Sequence, residues 1–456
     1  MAVATRPKVW IAAPPKHAQF AKYAGDVFVC LVGLTSPFAF HFVGDVPIGE
    51  ALLICALPVL VILGGRRALK PQLRPVYVLM TLWLLGLVIA DAYNHTNITD
   101  RMRGSALIIF FGLDLLGMSI LLGQNERRKL LYFVGSTIGA LAQVKLQPSP
   151  AVVDYPWKFG YAWGTMQAVL LISCYFYARG KQFLASLCLV AIILVNLLLN
   201  FRSPVLYLLI TLVLIFPVIP ERIGSLQILP AGKVARTAVM MILALSAGQV
   251  ADFLIEFVTQ AGYISEEARV KNEAQIKGGN LLLGGRPEFM IGLRAALDSP
   301  IIGHGSWAKD LKYFEMLTDA MIESGALAYT PDFEEDTDGL IPGHSHIITE
   351  WVWAGIAAPI FWLYILAMIF RATVRVTILK PALAPLYTFI MIATVWSILF
   401  SPFAFDRRMS EAVLIVIMAD LLEKKVMLAS PSWQRMGAVN PRRSLGQGNA
   451  SATPIR

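Results

Sequence analysis

Apolar residues in this chain come in long blocks rather than in a two-residue alternation. The blocks lie near residues 24–42, 47–64, 76–92, 104–123, 130–146, 161–178, 183–200, 203–219, 237–258, 347–370, 381–403 and 409–423. A helix needs about 20 mostly apolar residues to cross a bilayer core, and most blocks approach that length. The polar links between them are basic in a regular way. Arg66, Arg67, Lys70 and Arg74 follow the second block, and Arg127, Arg128 and Lys129 follow the fourth. Arg179 and Lys181 follow the sixth, Arg222, Lys233 and Arg236 the eighth, Arg371, Arg375 and Lys380 the tenth, and Lys424 and Lys425 the twelfth. Positive charge collects in cytoplasmic links. The pattern therefore predicts an all-α polytopic membrane protein of about twelve transmembrane helices, with both termini cytoplasmic.

The same alternation divides the chain. Residues 1–22 form a cytoplasmic N-terminal segment, 23–258 helices one to nine, and 346–424 helices ten to twelve. Residues 259–345 form one large, partly helical loop on the outer side, and 425–456 a disordered, basic cytoplasmic tail. A loop of this length is uncommon unless it is functional or disordered.

Composition sharpens this picture. Hydrophobic residues make up 57% of the chain and charged residues 15%, against about 25% charged in soluble domains. The net charge of +9 would suggest nucleic acid in a soluble protein. Here it lies mostly in the links, where it sets orientation, and no nucleic-acid partner is expected. Cys30, Cys55, Cys174 and Cys188 all fall inside apolar blocks, so they read as small buried hydrophobes rather than as a disulfide framework. The basic N-terminus carries no short apolar stretch with a cleavage site, so the first block is expected to be retained. No repeat of fixed period is present.

Candidate chemistry gathers on the outer side. Gly284-Gly285-Arg286-Pro287 opens a stretch in which Phe289, Met290, Leu293, Ala296 and Leu297 recur at helical spacing. Proline suits the first helical position. Arg286 then stands at a helix mouth, where free N–H groups and a guanidinium together suit a phosphate. The plain alternative is an amphipathic loop helix with a surface arginine. Arg294 lies on the same helix. Pro300-Ile301-Ile302-Gly303-His304-Gly305 follows as a turn in which His304 is a turn residue.

Pro342-Gly343-His344-Ser345-His346 stands just before the tenth block. Histidine at the membrane surface suits a general base, with helix capping as the plain alternative. A metal pair is disfavoured, because residues two apart on a helix point in different directions. Arg202, in Asn200-Phe201-Arg202-Ser203-Pro204, lies at the outer edge against the positive-inside trend. Ionisable residues at membrane depth are functional candidates, and snorkelling to the interface is the alternative. Two lesser groups, Asp91, Asn94, Asp100, Arg101 and Arg103, then Asp406, Arg407 and Arg408, line an external cavity or pair with one another on this reading.

Taken in order, these elements resemble the O-antigen ligase and O-antigen polymerase family of the bacterial inner membrane. They are Arg202 after a membrane helix, Gly285-Arg286 opening a loop helix, the Pro300 to Gly305 turn, and His344 followed by Gly355. The resemblance covers roughly residues 190 to 370; where that family usually carries His-Asn, this chain reads His344-Ser345-His346. It implies a donor glycan linked to undecaprenyl diphosphate and an acceptor that is either lipid A–core or another glycan, with membrane lipids around both. His344 would be the catalytic base. Arg202, Arg286, Arg294 and His346 would bind substrate, the first two holding the diphosphate. Transfer would invert the anomeric centre without a metal or other cofactor. Apart from the acidic run Asp332 to Asp338, no dense carboxylate site accompanies the motifs. Ligase activity is preferred, exopolysaccharide or O-antigen polymerase is the alternative, and a polysaccharide transporter or flippase is the reading from another class.

Overall fold

The computed structural model describes residues 16–41, 44–65, 68, 70–199, 201–216, 222–223, 226–227, 287–323 and 339–424. In chain order they form α1 (Lys16–Thr35), β1 (Ala39–His41), β2 (Asp45–Pro47), α2 (Ile48–Gly64), α3 (Arg74–Tyr93), α4 (Ile98–Leu122) and α5 (Glu126–Leu146). The short α6 (Pro150–Asp154) and a π-helical turn (Pro156–Tyr161) lead into α7 (Ala162–Ala178), α8 (Gln182–Leu198) and α9 (Arg202–Ile215). After β3 (Arg222–Ile223) and β4 (Leu226–Gln227) come α10 (Pro287–Asp298), α11 (Leu311–Glu323), α12 (His346–Ala354), α13 (Ala357–Leu379), α14 (Ala384–Phe400) and α15 (Phe405–Glu423).

Helix α3, α4 and α13 are each long and apolar enough to cross a membrane, and Tyr23–Thr35, α2, α8, α9 and α14 are shorter apolar helices. At 25 residues, α4 is about 37 Å long by its rise per residue. Each apolar block read from the sequence falls on a helix except 237–258, which lies outside the described residues.

Helix starts follow local chemistry. The Asn97 side chain accepts the Asp100 N–H at 2.9 Å ahead of α4, and Asn125 accepts from Arg127 and Arg128 ahead of α5. Both satisfy otherwise orphaned first-turn donors.

Four features depart from the sequence pattern. The first helix ends at Thr35 instead of running to residue 42, because Pro37 follows and removes a backbone donor. The chain then turns back through the antiparallel pair β1–β2, and a second small hairpin joins β3 to β4, so the all-α expectation is corrected by two short hairpins. The block 347–370 is broken at Gly355 into α12 and α13. Finally, α10 forms where the helical spacing put it but turns a different face inward. Ile291, Gly292, Ala295 and Ala296 are buried, while Met290 and Leu297 are 53% and 55% exposed.

The links sort to two ends of the bundle. At one end Lys129 bonds Asp420, and Lys70 lies 3.5 Å from Asp420 and 3.4 Å from Glu423. The basic links after α2 and α4 therefore share that end with the close of α15. At the other end Gln147, just after α5, donates to the Ala39 carbonyl at 2.7 Å.

Candidate active site

Helix α14 ends in Trp396, Ile398, Phe400 and Ser401, and the motif-bearing helices converge there. Tyr207 of α9 packs on Trp396 with ring centroids 5.7 Å apart. Trp396 packs on Phe400 at 4.8 Å, and Phe400 on Phe289 of α10 at 5.9 Å. Such ring pairs contribute about 0.5–1.5 kcal/mol each beyond their buried area. The third arrival is α12. Its N-cap Ser345 donates to the Ile398 carbonyl at 2.9 Å and accepts the Ile348 N–H at 3.2 Å. His346, the first residue of α12, donates from Nδ1 to the Ser401 carbonyl at 2.6 Å.

Arg202 is the first residue of α9 and is half-buried. His344 is exposed, one residue before the Ser345 cap. Arg286 and Gly285 lie outside the described residues, but Pro287, the first residue of α10, follows directly. Arg294 is 64% exposed and lies 3.4 Å from Asp298. His346 is placed otherwise than expected. It is wholly buried, with Trp362 and Phe403 rings 4.9 and 5.3 Å away, so its ring offers no surface to a substrate and instead ties α12 to α14.

The Pro300 to Gly305 turn is fastened to the Gly355 break by main-chain hydrogen bonds. His304 N donates to Val352 O at 2.6 Å, Gly305 N to Trp353 O at 3.1 Å, and Ile356 N to Ile301 O at 3.2 Å. Gly355 has φ +63 and ψ −158, a region essentially closed to other residues, and a Cβ there would overlap the Ile301 carbonyl. Gly355→Ala is therefore expected to destabilise the protein by at least about 2 kcal/mol, read as a lowered denaturation midpoint; an unchanged midpoint would contradict this geometry.

His304 is the turn residue that the sequence suggested, its Nε2 donating to Ala295 O at 2.9 Å. Asp91 and Asn94 hold this turn rather than lining a cavity. Asp91 accepts from Ser306 N at 2.6 Å and Ser306 Oγ at 2.8 Å, and Asn94 Nδ2 donates to Gly303 O at 3.1 Å. Asp100 bonds Asn97 and lies 3.7 Å from Arg103, while Asp406 pairs with Arg407 at 3.3 Å.

Helix α10 is held to α11 at Asp298, which accepts from Lys312 at 2.8 Å and from Tyr313 at 2.7 Å. The Lys312 and Tyr313 hydrogen bonds hold its carboxyl down to about 2. A depressed carboxylate contributes above its unfolded pKa, near ~3.9, and its contribution is lost as the pH falls. This tie should thus be intact at neutral pH and fail as the pH drops through about 2. A carboxyl-carbon NMR titration of Asp298 with a midpoint near ~4 would contradict it.

Beneath the hub lies a set of charges that the motif reading missed. Glu50 of α2 accepts from Arg408 of α15 at 2.5 Å. Glu411, one turn further along α15, accepts from Thr394 at 3.3 Å and lies 3.9 Å from His346 Nε2. Asp114 of α4 is fully buried, on a helix that packs against both α2 and α15. The signal was in the sequence, since Glu50, Asp114 and Glu411 all interrupt apolar blocks.

No protein-family model matches the chain, and no curated protein matches it.

Proposed function

We propose that the chain is a multi-pass inner-membrane glycosyltransferase that moves a glycan from undecaprenyl diphosphate to an acceptor hydroxyl at the outer face of the bilayer. In this reading about twelve helices span the membrane, both termini are cytoplasmic, and residues 259–345 lie in the periplasm. The observation that carries the reading is the convergence of α9, α10 and α12 on the end of α14. Arg202 opens the first of these helices, Arg286 immediately precedes the second, and His344 precedes the Ser345 cap of the third.

The acceptor oxygen forms the new bond to the anomeric carbon, from the face opposite the diphosphate. The bond from that carbon to the diphosphate oxygen breaks, and undecaprenyl diphosphate leaves with the electron pair. His344 takes the acceptor proton. Arg202 and Arg286 bind the diphosphate and stabilise the charge that grows on it, for which planar guanidinium groups are better suited than ammonium groups. Arg294 of α10 offers the substrate a further guanidinium. The lipid A–core acceptor makes the protein a ligase, and a second lipid-linked glycan would make it a polymerase with the same donor site.

The test is reconstitution of the full chain in liposomes carrying an undecaprenyl-diphosphate glycan, with lipid A–core offered as acceptor. Glycan-bearing lipid A–core is the expected product. Chain-length growth without it would identify a polymerase. Inert protein towards every lipid-diphosphate glycan offered, with or without added divalent metal, would end the transferase reading.

A further inference from the structure

Four titratable side chains and one arginine meet inside the bundle, away from the exposed His344. Glu50 comes from α2, Asp114 from α4, Arg408 and Glu411 from α15, and His346 from α12. All are at least nine-tenths buried. Helix α4 packs on both α2 and α15, and Arg408 and Glu411 are three residues apart on one face of α15. Aromatic rings pack against the set. Phe110 lies against the Arg408 guanidinium at 5.3 Å, and Trp362 and Phe403 enclose the imidazole. The Thr394 hydroxyl of α14 also bears on the set, donating to Glu411.

The partners do not balance. Three carboxylates against one guanidinium leave two negative charges in an apolar interior, where unpaired charge is strongly disfavoured. The hydrogen bonds show the same shortfall. Among the described residues, Glu50 Oε1, both Asp114 oxygens, Glu411 Oε2 and His346 Nε2 have no hydrogen-bond partner. His346 is informative because its tautomer is set. A carbonyl accepts only, so Nδ1 carries a proton for Ser401 O. Nε2 then points towards Glu411 at 3.9 Å. A lone pair facing a carboxylate is repulsive, whereas one proton between them makes the contact attractive. Glu50 and Asp114 lie buried on packed helices, with the one guanidinium of the set bonded to Glu50. One proton on each pair would cancel both surplus charges and turn each repulsive contact into an attractive one.

We propose that this cluster is a proton-binding site that holds two protons at neutral pH, one between His346 and Glu411 and one shared by Glu50 and Asp114. It is independent of the transferase reading, and its test needs neither donor nor acceptor.

The experiment is infrared difference spectroscopy of the purified full chain in detergent at pH 7, in H2O and D2O. It reads the carbonyl stretch of protonated carboxyl groups. Glu350, a further buried carboxyl without a partner, is removed from the signal by working in a Glu350→Gln background. That background should show a protonated-carboxyl band. Asp114→Asn should abolish the part due to the Glu50–Asp114 pair, because Glu50 is then matched one-to-one by Arg408. Glu50→Gln should abolish the same part, because Asp114 then takes the guanidinium. Loss in only one of the two variants would overturn proton sharing, and a spectrum without the band would overturn the site. His346→Gln should produce a new protonated-carboxyl band as Glu411 loses its partner; no new band would refute the second proton. Each spectrum is repeated with choline in place of sodium. A band that appears only on sodium removal would show a metal-cation site instead and overturn the proposal. The Asn and Gln replacements keep side-chain size, and near-ultraviolet circular dichroism checks that each variant is folded.

Discussion

Replacing His344 with Ala is expected to lower glycan transfer by about 10²–10⁴-fold, the usual contribution of a positioned general base, while binding of the lipid-diphosphate donor stays the same. The position makes this a clean experiment. His344 is exposed and precedes the α12 cap, so its truncation removes neither the Ser345 hydrogen bonds nor the His346 tie. Loss of activity with an unchanged denaturation midpoint would separate chemistry from folding. The informative readout is single-turnover transfer with donor saturating, since a base acts on the chemical step. Full transfer by His344→Ala would remove it from the mechanism. The paired control is Arg202→Lys, which keeps charge but loses the planar fork. It should lower transfer and weaken donor binding together, a different signature from the histidine.

Arg408→Met is expected to cost about 3–5 kcal/mol of stability, the range for removing one partner of a buried ion pair. Glu50 is wholly buried and its Oε2 accepts from Arg408 at 2.5 Å. Without the guanidinium, Glu50 and Asp114 lie in the same apolar interior with no cation from α15. Glu50→Gln should cost less, because the amide carries no charge and Arg408 retains Asp114 nearby. Combining the two substitutions should cost less than their sum, since the double variant leaves no charged orphan of the pair. Denaturant unfolding in mixed micelles reads all three. A single Arg408→Met variant within about 1 kcal/mol of the parent would show that the pair is not the buried contact described.

Much of the helix content was legible in the sequence, for a physical reason. Apolar blocks broken by basic links carry their signal residue by residue, as in 76–92 and 104–123, which fall on α3 and α4. What escaped was decided by single residues acting through the backbone. Pro37 ended α1 inside an unbroken apolar block, and Gly355 split another, although its apolar flanks read as one helix. The inward face of α10 was misjudged because Gly292 lets the helix approach the Pro342 carbonyl, a close contact that hydrophobicity does not encode. At the site, the order of motifs pointed to the outer face, but the hub on α14 was silent. Trp396 and Phe400 look like ordinary membrane aromatics until Tyr207 and Phe289 are seen against them. The sequence makes His344 the base and gives His346 a substrate-binding role. The cap at Ser345 separates them, leaving one ring exposed and the other sealed behind Trp362 and Phe403.

The seam between the Pro300 turn and the Gly355 break is sewn mainly with peptide groups, and the Trp351 indole adds a hydrogen bond to the Pro300 carbonyl. Evolution can therefore redraft Ile301 and Ile302 widely while the outer segment stays anchored to the bundle. Randomised libraries at those two positions should keep many members that fold, while diversity at Gly303, Gly305 and Gly355 should collapse back to glycine.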